Sequence, residues 1–279
     1  MKLLYGKSVA EEILSRLKND ILMQSQKPEL AVILVGNDEA SQLYVNLKER
    51  KAKEIGMNFV RYDFSEDVSE NDILVQIEKL NADVNVNGII VQLPLPKKFD
   101  TQKIISSIDL KKDVDGFSAQ SGSAFGGHPG TAPVFPRAIM KLIESSEQSI
   151  PGKKAIVIVN SELFGQVMIE ILNQKGAITQ YVLAENISSK LKEIKGADIV
   201  VSAVGSPGLL KGQMLKDGSI IIDGGIEKVG EKVFGDVNFA STEALSGYIT
   251  PVPGGVGPLT IACLLENTFL AFEAQQKEN

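Results

Sequence analysis

The fold is decided by the stretch from residue 155 to residue 174, which reads AIVIVNSELFGQVMIEILNQ. Its first five residues are apolar and mostly β-branched, which predicts a buried strand. Asn160 and Ser161 follow as a turn, and residues 164–175 have the apolar spacing of a helix with Gly165 near its start. A strand, a glycine-bearing turn and a helix in this order are typical of a nucleotide-binding unit.

Short apolar runs alternate with helical patterns along the whole chain. Strands are predicted at residues 30–35, 58–64, 88–92, 155–159, 178–183, 199–204 and 220–223. Helices are predicted at residues 8–22, 40–55, 70–80, 136–145, 164–175, 212–215 and 257–272. Apolar strands between helices indicate parallel sheets that are covered on both faces, so we expect an α/β fold.

Two breaks divide this pattern. Residues 119–133 are rich in Gly, Ser and Pro, and residues 147–153 precede a fresh strand. We therefore place the domain change at residue 147. The prediction is an N-terminal α/β substrate and catalytic domain over 1–147, a C-terminal Rossmann-like dinucleotide-binding domain over 148–257, and a cleft between them.

Composition limits the possible functions and partners. The 279 residues carry a net charge of -6 with interspersed signs, which argues against a nucleic-acid partner. No uninterrupted apolar run reaches the roughly 20 residues that span a bilayer, and the N-terminus lacks a secretion signal, so we expect no membrane association. The one cysteine, Cys263, cannot form an internal disulfide, which favours a cytoplasmic protein.

Metal and triad chemistry are poorly supported by the sequence. One histidine and one cysteine cannot build a His/Cys metal cluster, so we expect no metal site. A Ser-His-Asp triad would need His128, which lies in a loop at residues 126–130 with no nucleophile elbow nearby.

The first candidate residues lie on the helix predicted at residues 40–55. Tyr44 and Lys48 are four residues apart, so both side chains share one helix face, together with Ser41. A lysine becomes a useful base only in a dry or cationic setting. The alternative is a surface lysine that extends off an amphipathic helix, with Tyr44 at its rim.

Two further candidates follow predicted strands. Gln92 ends an apolar strand, at the edge where ligands bind in open α/β folds, and can hydrogen-bond a catalytic lysine. Asp115 could accept two adjacent N–H donors of a planar ligand as a bidentate pair. The alternatives are a polar residue that simply ends a strand and an ordinary Asp-Gly turn.

Four runs, at residues 41–48, 91–96, 112–116 and 248–258, together resemble the methylenetetrahydrofolate dehydrogenase/cyclohydrolase family. The last run contains PVPGGVGP, and the resemblance extends over about residues 36–271. It implies that Lys48 is the central catalytic residue, assisted by Tyr44 and Gln92, and that Asp115 anchors the pterin. It also implies substrate contacts from Leu93, Pro253, Gly254 and Gly255.

The implied activity is bifunctional. A nicotinamide cofactor oxidises 5,10-methylenetetrahydrofolate to 5,10-methenyltetrahydrofolate, which is then hydrolysed to 10-formyltetrahydrofolate, a step in one-carbon and purine metabolism. The resemblance further implies a homodimer and a last helix, at residues 258–279, that packs back on the first domain. Two alternatives stay open: a cyclohydrolase with weak or lost dehydrogenase activity, and a non-catalytic folate-binding module.

The chain departs from the family in the cofactor turn. The family usually has Gly-Arg-Ser where this chain has Val159, Asn160 and Ser161, and His-Ser-Arg where it has Leu183, Ala184 and Glu185. The cofactor-binding residues predicted by the resemblance are Val159, Asn160, Ser161, Gly165, Ala184, Glu185, Gly205 and Ile226.

The family default cofactor is NADP, but the lost arginine and the gained carboxylate favour NAD in this chain. A carboxylate repels a 2′-phosphate and accepts hydrogen bonds from a free ribose. The alternative is that Glu185 is a surface residue and another basic group holds the phosphate. The family's Pro-Cys-Thr-Pro also becomes PVFP at residues 133–136, and its usual Asn is missing from residues 118–127.

Overall fold

The computed structural model describes residues 1–117, 132–230 and 232–278. It forms two compact units. The three-strand unit contains residues 11–134 and 261–279, and the six-strand unit contains residues 1–10 and 135–260. Both units have parallel sheets between helices, as the apolar strand runs predict.

The three-strand unit has the strand order β3-β2-β4, and all pairs are parallel. Its strands are β2 (Glu29–Val35), β3 (Asn58–Phe64) and β4 (Gly88–Val91). Its helices are α2 (Glu39–Glu54), α3 (Glu70–Ala82) and α4 (Thr101–Ser106). On the side of β4 that faces away from β2, Ile89 of β4 forms an isolated parallel bridge with Asp113. This bridge brings the 112–115 segment to the sheet edge.

The core of this unit follows directly from sequence spacing. Every residue of β2 from Leu30 to Val35 is buried, as expected for a central strand covered on both faces. On α3, Ile73, Ile77 and Leu80 recur at helical spacing and pack into the same cluster as Ile33. These contacts fix the positions of α3 and β4.

The six-strand unit has the strand order β1-β11-β8-β7-β5-β6, again entirely parallel. Its strands are β1 (Lys2–Leu3), β5 (Lys154–Val159), β6 (Ile178–Leu183), β7 (Ile199–Ala203), β8 (Ile220–Asp223) and β11 (Tyr248–Ile249). A hairpin of β9 (Glu227–Val229) and β10 (Lys232–Phe234) lies outside this sheet. The chain goes from β5 outward to β6 and then to β7 on the other side of β5, so the topological switch point lies between β5 and β7.

Several helices complete this unit. They are α5 (Val134–Ser145), α6 (Glu162–Gln174), α7 (Leu191–Lys195) and 3₁₀ turns at Ala184–Ser189, Gly212–Met214 and Phe239–Thr242. The 3₁₀ turn at Ala184–Ser189 follows β6 directly, in a stretch where no helix was predicted.

Two long helices, α1 (Gly6–Leu22) and α8 (Val256–Glu278), contribute residues to both units. By length and composition α8 could cross a membrane, although the sequence showed no uninterrupted apolar run of that length. In the structure, 72% of its most apolar window is buried inside the chain. Such burial is typical of a core helix.

The unit boundary differs from the one expected at residue 147. It falls between residues 134 and 135, so nearly all of α5 joins the six-strand unit. The Phe135 ring packs on Phe164 of α6 with ring centroids 5.5 Å apart, which explains this assignment. Residues 1–10 join the same unit because β1 pairs with β11, and residues 261–279 join the three-strand unit.

Candidate active site

Lys48 is positioned by the start of α2. The side chain of Asp38 caps this helix by accepting the Ser41 N–H at 2.7 Å, which fixes the helix directly after β2. Lys48 lies about two and a half turns along the helix, is partly buried, and donates from Nζ to Gln92 Oε1 at 2.9 Å. The structure therefore brings together the predicted lysine and glutamine, which are 44 residues apart in sequence.

The orientation of Gln92 is fixed by hydrogen bonds of its backbone N–H and of both polar atoms of its side-chain amide. Its backbone N–H continues the sheet pattern by donating to the Ile33 carbonyl at 2.8 Å. Its Nε2 donates to the Leu93 carbonyl at 2.7 Å. Because Nε2 faces a carbonyl, Oε1 must face the lysine, and the amide cannot rotate by 180° without losing both bonds.

Asp115 lies beside the end of β4, in a tightly held turn. The Ile89 N–H donates to the Lys112 carbonyl at 2.7 Å, and the Gly116 N–H donates to Asp113 Oδ1 at 2.9 Å. Gly116 has a φ of +81°, and a Cβ there would lie 2.7 Å from Pro133 Cα. The predicted Asp-Gly turn is present, and the close approach of Pro133 requires its glycine.

Lys48 and Asp115 are coupled electrostatically. Burial raises the pKa of Asp115 to about 6, while the charge on Lys48 opposes the rise and Asp113 adds to it. Burial also lowers the pKa of Lys48 from its ordinary value, against the opposing effect of Asp115. Each group thus holds its charge less readily than in water, and their proton affinities depend on one another.

Two predicted substrate residues flank this pair. Tyr44 lies one helical turn before Lys48 and is 41% exposed, and its hydroxyl makes no hydrogen bond within the described ranges. Leu93 packs against the core cluster of the three-strand unit with part of its side chain exposed. Both side chains are therefore accessible to a ligand at this edge of the sheet.

The predicted loop residues Pro253, Gly254 and Gly255 belong to the six-strand unit. Gly254 has a φ of +110°, and its carbonyl accepts the Gly6 N–H at 2.9 Å. A Cβ at Gly255 would lie 2.7 Å from the Pro251 carbonyl oxygen. Gly254 is therefore required for its positive φ, and Gly255 is required because a side chain would clash with the Pro251 carbonyl. Both requirements hold whether or not the loop contacts a ligand.

The predicted cofactor turn lies at the switch point. Val159 ends β5 and is fully buried, and Asn160 Nδ2 donates to the Val204 carbonyl at 2.8 Å. Asn160 therefore links the turns after β5 and β7. Ser161 caps α6 by accepting the Phe164 N–H at 3.4 Å, so α6 begins two residues before the predicted start.

Four other predicted cofactor residues lie just after the carboxyl ends of strands β6, β7 and β8. Gly205 follows β7 with a φ of +76°, and Ile226 follows β8 with 49% of its surface exposed. Ala184 and Glu185 begin the 3₁₀ turn after β6, and Glu185 is exposed.

Gly165 has a packing role. A Cβ at this position would lie 2.8 Å from Tyr181 Cγ on β6, so the glycine permits close packing of α6 on the sheet. Close packing of this kind is one function of glycine in dinucleotide-binding units.

Two buried carboxylates that the sequence patterns did not single out hold the turns after β7 and β8. Asp236 accepts Ser202 Oγ at 2.6 Å, the Val204 N–H at 2.8 Å and the Ser206 N–H at 2.7 Å. Asp223 accepts the N–H groups of residues 225, 236 and 237. Burial raises the pKa of Asp223 to about 6. Asp236 lies in the run Gly235-Asp236-Val237, which is the signal in the sequence that could have pointed to this network.

The described residues of this edge fit a dinucleotide. The N-terminus of α6 offers N–H groups without intrahelical partners to a pyrophosphate, and Gly205 allows close backbone approach. Residues 159–166 contain no Lys or Arg for a 2′-phosphate. His128 and the departure predicted at residues 118–127 lie outside the described residues.

Comparison with known proteins agrees with this geometry. The profile of the tetrahydrofolate dehydrogenase/cyclohydrolase catalytic domain matches residues 4–115, and that of the family's NAD(P)-binding domain matches residues 133–276. The bifunctional protein FolD of Campylobacter concisus is 40% identical, with 100% of both chains covered.

Solved structures give the same result. The bifunctional enzyme FolD, methylenetetrahydrofolate dehydrogenase/cyclohydrolase, from Campylobacter jejuni has a TM-score of 0.90 and 35% identity, with 100% of both chains covered. The Trypanosoma brucei enzyme, solved with NADP cofactor and inhibitor, has a TM-score of 0.88 and 29% identity over 99% of this chain and 98% of that one. This chain belongs to the tetrahydrofolate dehydrogenase/cyclohydrolase family.

Proposed function

We propose that this protein is a bifunctional enzyme of one-carbon metabolism. It oxidises 5,10-methylenetetrahydrofolate to 5,10-methenyltetrahydrofolate with a nicotinamide cofactor, and hydrolyses the product to 10-formyltetrahydrofolate. The observation that carries the proposal is the 2.9 Å hydrogen bond from Lys48 Nζ to Gln92 Oε1, in a setting that lowers the pKa of Lys48. The full-length relatives named bifunctional FolD support it.

Lys48 acts in the hydrolytic step as the proton-transfer group. The bridge carbon of the methenyl substrate is electron-poor, and water adds to it. Because burial favours the neutral amine of Lys48, Nζ can take a proton from that water and return one to the ring nitrogen as the carbon–nitrogen bond breaks. Hydrolysis of the cationic substrate releases one proton to solvent in total.

Gln92 and Asp115 orient the reacting groups. Gln92 holds Lys48 Nζ through an amide that cannot rotate, so the amine keeps one direction relative to the bridge carbon. Asp115, as a carboxylate, accepts the amino group and ring N–H of the pterin. Tyr44 and Leu93 offer exposed surface to the flat ring system.

A bound nicotinamide cofactor supplies the hydride acceptor for the oxidative step. The first turn of α6, Asn160, Gly205 and Ile226 would hold it at the carboxyl edge of the six-strand sheet. We propose that NAD is accepted at least as well as NADP. Glu185 begins the turn after the second strand of the βαβ unit, where an acidic residue accepts hydrogen bonds from the ribose hydroxyls of NAD.

A homodimer and a cytoplasmic location are part of the same proposal. The family resemblance supports the dimer, and the single cysteine supports a reducing compartment. We propose no role for nucleic acid or membranes. Analytical ultracentrifugation tests the dimer, and a single monomeric species at micromolar concentration would contradict it.

The proposed function is tested by two assays on the purified protein. Initial rates of methylenetetrahydrofolate oxidation are measured with NAD⁺ and with NADP⁺, and the decay of added methenyltetrahydrofolate is measured without cofactor. We expect turnover in both assays, with an NAD⁺ rate at least equal to the NADP⁺ rate. A strong NADP⁺ advantage refutes the cofactor assignment, hydrolysis alone indicates a cyclohydrolase, and folate binding without turnover indicates a binding module.

A further inference from the structure

Asn267, on α8, makes an unusual set of hydrogen bonds beside the Asp115 turn. Its side chain is 1% exposed, and Nδ2 donates to the Val114 carbonyl at 2.9 Å and to the Ala132 carbonyl at 2.8 Å. Both amide protons are therefore used on two chain segments that flank residues 118–131. One of these carbonyls belongs to the residue directly before Asp115.

The acceptor side of the same amide has no partner. Asn267 Oδ1 is buried and makes no hydrogen bond within the described ranges. A buried polar atom without a hydrogen-bond partner destabilises the folded protein. Rotation of the amide by 180° would place Oδ1 against two carbonyl oxygens, so the observed orientation is fixed by its two donors. The two donated bonds must outweigh the unpaired oxygen.

These bonds act on the backbone that carries Asp115. The Val134 N–H donates to the Asp115 carbonyl at 3.0 Å, and Pro133 lies against Gly116. Asn267 bridges the carbonyls of Val114 and Ala132 through its two amide protons. The backbone at residues 114 and 115 is therefore held to the segment 132–134 by two separate connections. Asn267 does not contact the Asp115 carboxylate through any of these bonds.

We infer that Asn267 is a positioning residue, which fixes the Asp115 carboxylate for the pterin through the backbone of residues 114 and 132. The inference rests on the proposed function, because Asp115 is the pterin-binding group there. A second amide on α8 provides a comparison. Gln275 Nε2 donates to the Lys111 carbonyl at 3.0 Å, four residues before Asp115, and to the Asn87 carbonyl at 3.1 Å.

The test compares Asn267→Leu with Gln275→Met in the full-length protein. Each variant removes two hydrogen bonds from α8 to backbone carbonyls, so both lower the thermal midpoint. Gln275→Met also removes the bond that Gln275 Oε1 accepts from Asn87 Nδ2, so it is the more severe loss of hydrogen bonds. We expect Asn267→Leu to raise the KM for methenyltetrahydrofolate at least tenfold, with kcat within threefold of wild type because Lys48 and Gln92 are untouched. Gln275→Met should leave KM within twofold. Should Asn267→Leu fail to fold, Asn267→Ser, whose hydroxyl is too short to reach both carbonyls, gives the same comparison.

The outcomes separate this inference from the proposed function. If wild type does not hydrolyse the methenyl substrate, the proposed function fails. If wild type is active and the variants at Asn267 and Gln275 change KM equally, or neither changes it, Asn267 is a stability residue and the inference is overturned.

Discussion

Replacing Asp115 by Asn should change how the stability of the protein depends on pH. Burial raises the pKa of this carboxyl from 3.8 to about 6, so the folded protein holds a proton that the unfolded chain has released between those pH values. This contribution to stability is fully present below the unfolded pKa and is lost as pH rises through 6. A shift of this size corresponds to about 2 to 3 kcal/mol.

The assay is urea unfolding of wild type and Asp115→Asn at pH 4 and pH 7.5. The variant lacks the titrating group, so its free energy of unfolding relative to wild type should rise by about 2 to 3 kcal/mol between the two pH values. In Lys48→Met, the pKa of Asp115 should rise further, because the charge on Lys48 lowers it. Parallel pH profiles for wild type and Asp115→Asn would refute the burial of a carboxylate at this site.

Three other changes test separate contacts. The folate KM of wild type should rise as pH falls below about 6, because Asp115 is then protonated, and a KM that stays flat to pH 5 contradicts its binding role. Gln92→Leu should lower the cyclohydrolase kcat at least tenfold with little change in KM, since it frees Lys48 Nζ; an unchanged kcat counts against the Lys48–Gln92 pair. Gly165→Ala should destabilise the protein by about 1–3 kcal/mol by overpacking against Tyr181, whereas Gly257→Ala, which meets open space, should not; equal urea midpoints would show that the packing can relax.

The central strands and the Lys48–Gln92 pair were predictable because their signals are local. The apolar runs of β2 and β4 fixed the sheet, the four-residue spacing of Tyr44 and Lys48 fixed a helix face, and the end of a parallel strand fixed the place of Gln92. Helix α6 begins at Glu162 because Ser161 caps it, a signal that lay in the sequence three residues before the predicted start.

Other features depend on distant pairing. Strand β1 has two residues and exists because it pairs with β11, almost 250 residues later, so no local pattern marks it. The same pairing places residues 1–10 in the six-strand unit. Phe135 of α5 packs on Phe164 of the same unit. The boundary between the units therefore lies between residues 134 and 135, whereas the prediction placed it at residue 147. Asn267 was not predicted because its partners, Val114 and Ala132, are backbone carbonyls more than 130 residues away.

The role of Lys48 is tested most sharply by the decay of methenyltetrahydrofolate in the presence of the Lys48→Met variant. This variant keeps the length of the side chain and removes its amine, and the partly buried site tolerates an apolar group, so circular dichroism should show a folded protein. We expect hydrolysis at the uncatalysed rate while folate still binds. Hydrolysis at the wild-type rate by the folded variant would contradict the assignment of Lys48 as the proton-transfer group.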